Sequence, residues 1–381
     1  MSMISQRASN MNEANVQSEP APSGRRVGAL ALGLPRHWYP ILQSSDVASR
    51  PVRIKRFGEW LAVWRGEDGQ PNVVQDRCPH RGASLSQGTI RGSTLSCAYH
   101  GWTFDRSGSC VEIPFADGQD DKRAATMRRA ALKSFPAKDR AGYIWAFYGA
   151  AADVTPLSIA PYELEDPRWS LFQQQYVWNT SWLNILDNIL DPVHALFVHF
   201  GVATQLRRAQ LSQLKIEDFD GGFRLSKGGM LEGKMTEETP AELRLPSVFR
   251  LDLADGSPRG LMRVLMIPTP IDESSTYLVY IQGRRVTGLA RLRWRVQWWT
   301  KYRAAQNTIK AQDLAILEGL GPIETARAQE NLTHSDAGVV HLRRRLNQAF
   351  AEAQNPSKDA PPGSRLKPAP RLYASWENDP E

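Results

Sequence analysis

Two short segments constrain this chain more than anything else in it. They are Cys78-Pro-His80-Arg-Gly82 and Cys97-Ala-Tyr-His100-Gly101-Trp102, and they use two of the three cysteines and two of the seven histidines. The spacing is Cys-x-His, sixteen residues, then Cys-x-x-His. Three cysteines cannot build a disulfide framework, so paired Cys and His read as metal ligands. Gly82, Gly88 and Gly101 suit tight loops in which backbone N–H groups come close to the bound group. Cys110 stands outside both segments and reads as a structural thiol.

Thiolates and neutral imidazoles are good ligands both for zinc and for iron in an iron–sulfur cluster. One reading is a structural zinc site of the two-Cys, two-His type. The other is a [2Fe–2S] cluster in which two cysteines hold one iron and two histidines the other. Zinc fingers more often pair Cys with Cys and His with His. Here each segment supplies one of each, which suits a cluster gripped from both sides.

A second constellation follows. Ser181 to Phe200 reads as helical and contains Asp187-Asn188-x-x-Asp191-x-x-His194-x-x-x-x-His199. Asp187, Asp191 and His194 share a helix face at i, i+4 and i+7. His199 lies about 140° from His194 on an ideal helix. Pro192 supplies the break, and a new helix can start there with Asp191 as its cap. Buried carboxylates beside histidines need a partner or a metal. Two imidazoles and one carboxylate on one side of Fe(II) form a facial triad with open positions.

The flanking pattern sets the frame. The 381 residues, 41% hydrophobic and 23% charged, suit two globular domains. Residues 1–34 read as a tail. Residues 35–152 alternate as short antiparallel strands with the Cys/His segments on loops. Residues 153–355 begin with a Pro-rich, acidic linker (156–167), continue as strands, and end helical over 288–319, 324–332 and 335–354. Residues 356–381 read as a second tail or arm. The fold class is α+β, a small all-β domain followed by a larger domain of antiparallel sheet and helices. No transmembrane segment or secretory leader is evident, and the reading is a cytoplasmic protein. The net charge of +7 is scattered apart from an Arg- and Trp-rich run between Arg284 and Arg303. Leu289, Leu292, Val296 and Trp299 follow helical spacing there, which favours a half-buried helix over a docking or membrane surface. No nucleic-acid partner is implied.

The Cys/His segments resemble the signature of Rieske domains in non-haem iron oxygenases. The 187–199 pattern resembles the mononuclear iron motif of the same family, in particular its vanillate O-demethylase, dicamba monooxygenase and phthalate dioxygenase types. The segment 311–322 resembles the late helix that supplies the third iron ligand. The resemblance implies Cys78, His80, Cys97 and His100 as ligands of a [2Fe–2S] Rieske cluster, and His194, His199 and Asp313 (Glu318 as second choice) as ligands of a mononuclear Fe(II). It implies Asp191 as a catalytic bridge between His194 and His100 of a neighbouring subunit, with Asp187 and Asn188 beside it, in a homotrimer. It also implies a helix-grip-like catalytic domain.

The implied activity uses O₂ and electrons from a flavin/iron–sulfur reductase or a ferredoxin. It hydroxylates or oxidatively demethylates a small, aromatic substrate, with cis-dihydroxylation as the near alternative. An electron carrier or a zinc-stabilised binding protein is the competing reading from another class.

Overall fold

The computed structural model describes residues 24–114, 120–199, 210–231, 234–236, 241–254 and 261–354. The expected tails at 1–23 and 356–381 lie outside the described residues. Residues 24–34, expected to belong to the first tail, instead start with helix α1 (Gly24–Ala31). Leu30, Ala31 and Leu34 are buried in the catalytic domain's core. The Leu30 carbonyl accepts a hydrogen bond from Trp182 Nε1 at 3.1 Å.

Among the described residues, the N-terminal domain is antiparallel β with one α-helix. Strand β1 (His37–Gln43) is followed by the meander β2 (Val52–Arg56), β3 (Glu59–Arg65) and β4 (Pro71–Gln75). A second small sheet holds β5 (Thr89–Arg91), β6 (Thr94–Ser96), β7 (Thr103–Phe104) and β8 (Cys110–Glu112). Helix α2 (Asp120–Arg129) precedes β9 (Ala137–Arg140) and β10 (Tyr143–Tyr148), and β10 pairs with β1.

The β2–β3 turn does more than reverse the chain. Phe57 and Gly58 both have positive φ (56° and 77°), as a tight hairpin turn requires. Phe57 tolerates this conformation because its side chain is buried and stacks on Tyr148, with ring centroids 4.4 Å apart. Its N–H donates to the Pro270 carbonyl at 3.0 Å. The hairpin tip is thereby fixed to the catalytic domain, where Lys55 also pairs with Asp272 at 2.7 Å.

The catalytic domain is built on one antiparallel sheet. Its strands are β11 (Trp169–Trp178), β12 (Gln210–Phe219), β13 (Gly222–Leu231), β14 (Lys234–Thr236), β15 (Ala241–Arg244), β16 (Val248–Ala254), β17 (Leu261–Pro270) and β18 (Thr276–Arg285). The spatial order is β11-β18-β17-β16-β15-β13-β12, with β14 on β13. Helices α3 (Trp182–Leu190) and α4 (His194–Val198) follow β11. Helices α5 (Gly288–Gln297), α6 (Arg303–Gly319), α7 (Ile323–Ala328) and α8 (Ala337–Gln354) follow β18, and a π turn (Trp298–Tyr302) joins α5 to α6. The strands expected after residue 210 are thus present, as are the helices, although the one expected over 324–332 ends at Ala328 and the one over 288–319 is split by the π turn. Among the described residues, no helix is long and apolar enough to cross a membrane.

The centre of this sheet is buried on both faces. Val264, Met266, Leu278 and Tyr280 pack with residues of α1, α3, α6 and α8. Their neighbours in sequence, Leu265, Ile267, Val279 and Ile281, pack against Trp38, Trp145 and Phe147 of the N-terminal domain. In register, Ile267 faces Val279 and Leu265 faces Ile281. A strand covered on both sides loses the polar alternation of a half-exposed one, which is why 261–267 and 276–281 read as apolar runs.

Two regions differ from expectation. The 156–167 linker is docked, not loose. Glu163 is buried between Arg250 Nε (2.7 Å) and Arg263 (2.8 Å). In the Arg/Trp-rich run, the predicted inner stripe faces out: Leu289 and Trp299 are 86% and 58% exposed, and Leu292 and Val296 are exposed too. Trp294 and Trp298, one turn apart, go inside. Trp294 Nε1 donates to the Ser170 carbonyl at 3.0 Å, and Trp298 stacks on Phe172 at 4.5 Å. Two indoles bury more apolar area than Leu and Val, and Trp294 brings a donor that finds its acceptor.

Two candidate metal centres

The Cys/His segments fold into two loops with the same backbone. The Cys78 N–H donates to the Ala83 carbonyl and the Gly82 N–H to the Cys78 carbonyl, each at 2.8 Å. In the second loop the Cys97 N–H donates to the Trp102 carbonyl at 2.8 Å, and the Gly101 N–H to the Cys97 carbonyl at 3.0 Å. Glycine occupies the fifth position of both loops with φ near +75°: +78° at Gly82 and +71° at Gly101. A Cβ on Gly101 would lie 2.9 Å from Pro114 Cγ. At Gly88 the limit is close approach, since a Cβ would sit 2.1 Å from the Ser96 carbonyl oxygen.

Both sulfurs point into the domain and both imidazoles point out. Cys78 and Cys97 are buried, and burial, with Cys97 beside it, pushes the Cys78 thiol up to about 11. A metal that takes the thiolates removes this penalty. His80 and His100 are exposed, with ring centroids 4.6 Å apart, and Trp102 stacks on His80 at 4.6 Å. Asp76, two residues ahead of Cys78, anchors the first loop through the Ser86 N–H (2.7 Å) and hydroxyl (2.8 Å) and through Arg53 (2.8 Å). Two buried sulfurs opposite two neighbouring imidazoles, on matched loops, fit a [2Fe–2S] cluster. Cys110 is buried elsewhere in the same core, its Sγ on the Glu112 carbonyl at 3.6 Å.

The second centre joins α4 to α6. Helix α3 ends at Leu190, Pro192 prevents its continuation, and α4 begins at His194. The Asp191 carboxylate caps this start, accepting from the Val193 N–H at 2.7 Å and the His194 N–H at 3.3 Å. Helix α4 stops at Val198, and His199 takes a non-helical backbone (φ −99°, ψ 22°). This break and early stop bring His199 back to His194 despite their five-residue spacing, with ring centroids 5.4 Å apart.

Asp313, on the buried side of α6, completes the group. Its Oδ1 lies 3.3 Å from His199 Nε2 and 3.6 Å from His194 Nε2. One ligand atom from each of the three residues falls within 4.8 Å of the others. The outer nitrogens fix the tautomers. His194 Nδ1–H donates to the Asp191 main-chain carbonyl at 2.5 Å, and His199 Nδ1–H to Gln312 Oε1 at 3.1 Å. The Nε2 atom of each ring therefore faces Asp313 and, in the neutral ring, presents a lone pair. Asp313 Oδ1 is buried and makes no hydrogen bond. Three acceptors converging on one point fit a cation.

Charge in the site follows the same geometry. Burial lowers the His194 pKa, outweighing the nearby Asp313 and Asp191 charges. Burial also opposes the charged form of His199, but Asp313 and Gln312 more than offset it and leave that pKa raised.

Other expected residues fall elsewhere. Asp187 does not share a face with the site, because the helix that would have aligned it ends first. It is an ion-pair node between Arg327 (3.0 Å) and Arg343 (2.7 Å), tying α3 to α7 and α8. Asn188 contributes its carbonyl, which accepts the Asp191 N–H at 3.1 Å and closes α3. Glu318 is exposed and accepts from Asn179 Nδ2 at 3.1 Å, away from the histidines. Sequence reasoning missed Gln312, although its place beside Asp313 was a signal. It also missed Lys310, buried one turn earlier on α6. Burial, and then Arg303, lower the Lys310 pKa to about 8.

A β domain with a cluster site, followed by a sheet-and-helix domain with a two-His, one-carboxylate site, defines a two-metal redox protein. Comparison with known proteins identifies which kind. A family model described as "Rieske [2Fe-2S] domain" matches residues 37–136, and one described as "Vanillate O-demethylase oxygenase C-terminal domain" matches residues 178–352. The phenoxybenzoate dioxygenase subunit alpha of Ectopseudomonas oleovorans is 26% identical over 364 residues, covering 89% of this chain and 87% of that protein. The 5,5'-dehydrodivanillate O-demethylase oxygenase subunit of Sphingobium sp. (strain NBRC 103272 / SYK-6) is 29% identical, covering 82% and 74%. The crystal structure of dicamba monooxygenase bound to dicamba superposes with a TM-score of 0.65 at 22% identity, covering 84% of this chain and 98% of that one. The chain belongs to the Rieske non-haem iron oxygenases and carries a catalytic domain of the vanillate O-demethylase type. It is an oxidoreductase whose cofactors are a [2Fe–2S] Rieske cluster and a mononuclear iron.

Proposed function

We propose that this oxygenase hydroxylates or oxidatively demethylates a small aromatic substrate, with Cys78, His80, Cys97 and His100 holding the cluster and His194, His199 and Asp313 holding the iron. The convergence of His194, His199 and Asp313 carries this reading. When bound, the cluster supplies electrons singly, and the iron offers open positions for O₂ beside the substrate. The chain's own residues hold that arrangement ready. The Asp191 carbonyl and Gln312 orient the two imidazoles, and the Asp191 carboxylate stiffens the start of α4.

Electrons come from a flavin/iron–sulfur reductase or a ferredoxin, and the working unit is a homotrimer in the cytoplasm. The exposed edges of His80 and His100 support delivery to a neighbouring subunit, and three cysteines present as thiols suit a reducing compartment. Within one subunit the Asp191 carboxylate is 4.0 Å from His194 Nδ1, and its side chain is 27% exposed. It is thereby available to a donor from the neighbour. The relative named a phenoxybenzoate dioxygenase favours cis-dihydroxylation as the second reading.

Product analysis with a reductase, ¹⁸O₂ and a panel of aromatic acids, aryl ethers and amines tests the reaction. A demethylated product without label, with the labelled oxygen in the released formaldehyde, supports demethylation; one labelled oxygen in the product supports hydroxylation; and a doubly labelled cis-diol supports the second reading. Asp191→Ala is expected to lose turnover by ~10²-fold or more while iron content stays at the wild-type level. Wild-type turnover in that variant removes Asp191 from the reading.

A further inference from the structure

The buried stripe of α6 is unusual for a helix packed on a sheet. It consists of Gln306, Lys310, Asp313 and Leu317, and three of the four are polar. A core-facing stripe is ordinarily apolar. Asp313 belongs to the metal centre, and Gln306 accepts a hydrogen bond from Gln282 Nε2. Lys310 has no such explanation. It is 5% exposed, and its Nζ donates to Gln174 Oε1 at 2.6 Å and to the Tyr176 hydroxyl at 2.7 Å. Both of these hydrogen-bond partners are neutral, and among the described residues it forms no ion pair. A buried ammonium without a counter-ion is costly, and chains rarely retain one without a use for it.

Its surroundings show what it can take. An ammonium has three donors, and two are used. Tyr176 accepts from Lys310 and so keeps its own proton to donate. The rings of Tyr176 and Tyr280 each lie 4.8 Å from Nζ. Lys310 precedes Asp313 by one helical turn, a spacing that puts neighbouring side chains on one face. An ammonium and a phenol proton, one turn from the iron ligand and flanked by aromatic rings, match a flat ring bearing a carboxylate.

We propose that Lys310, held by Gln174 and Tyr176, anchors the carboxylate of an aromatic acid substrate and so aims its ring at the His194–His199–Asp313 centre. This deepens the oxygenase reading and rests on it. The role is one of positioning and specificity, since Lys310 is one turn removed from the iron ligand.

The test is equilibrium binding by calorimetry on the purified, iron-loaded full chain without reductant. The probes are benzoate, 4-methoxybenzoate and 2-naphthoate, each against its primary amide. Wild-type protein is expected to bind at least one acid about ten-fold or more tighter than the matching amide, the ratio one charge-assisted hydrogen bond gives. Lys310→Met abolishes that preference while amide binding stays within a few-fold. Tyr176→Phe keeps the ammonium and weakens the acid only a few-fold, so the idea stands even if Lys310→Met fails to fold. Equal binding of acids and amides by wild type, no binding of any acid, or a preference that survives in Lys310→Met each overturns the proposal. Iron content and visible spectrum of the same samples report on the oxygenase reading separately.

Discussion

In the N-terminal domain the four residues proposed to hold the cluster stand on two matched loops inside one short stretch, Cys78 to His100, with the imidazoles exposed. In the catalytic domain two of the proposed iron ligands sit at the ends of a five-residue helix and the third comes from α6, far along the chain, with His199 and Asp313 buried. The first site is local and faces outward. The second exists only once α4 and α6 have packed together. Electron transfer between proteins suits an exposed ligand edge, whereas oxygen chemistry suits a site that excludes water. A local site can be set by backbone turns alone, but a distributed one needs orienting partners such as Gln312 and the Asp191 carbonyl.

The sharpest way to break this contrast is to remove one ligand from each centre. Cys97→Ser is expected to abolish the visible cluster spectrum and to destabilise the N-terminal core, in which the sulfur is buried. Asp313→Ala is expected to lower turnover by ~10³-fold or more and to leave the cluster spectrum unchanged. Iron analysis then reads about three irons per chain in wild type and about two in Asp313→Ala. Loss of the cluster in Asp313→Ala would show that the centres are not independently built. A smaller effect is expected from Gln312→Leu. Removing the acceptor of His199 Nδ1–H frees the ring to turn, and losing a partner that orients a metal-binding imidazole costs ~10–100-fold in metal affinity. Iron retention during chelator titration measures it, and the cluster should not respond.

The same contrast explains what was legible in the sequence. The Cys/His segments were legible as a candidate cluster site because all four residues are local, and the Asp191–Pro192 break foretold the helix that begins at His194. Asp313 was legible only through a family resemblance, since no spacing links residues 199 and 313. Asp187 was misplaced because an unbroken helical period was extended across Pro192. The Leu289–Trp299 stripe was misread because periodicity identifies an apolar face but not which of two competing faces goes inside. The docking of 156–167 was hidden because Glu163, acidic and next to prolines in sequence, reads as solvated until Arg250 and Arg263 arrive from distant strands. Residues 24–34 carry the apolar residues of a helix, but Gly24, Gly28 and Gly33 lower its propensity and the polar stretch ahead masks it, and their burial depends on a core supplied by later segments.

The smallest effects compare two glycines, one in each region. Gly101 holds the second cluster loop at φ +71°, a conformation L-residues rarely adopt, and a Cβ there meets Pro114 Cγ at 2.9 Å. Gly101→Ala should cost ~1–3 kcal/mol through backbone strain alone. Gly319 ends α6, the helix that carries Asp313, with nothing within 4 Å of an added Cβ. Gly319→Ala should stabilise by ~0.4–1 kcal/mol, chiefly by restricting the unfolded chain. Denaturant midpoints followed by far-UV dichroism resolve both signs. If the two variants shift in the same direction, then loop geometry is not what distinguishes the cluster site. Opposite signs place the conformational constraint in the turns of the outward-facing centre, and leave the buried one to depend on packing and hydrogen bonds.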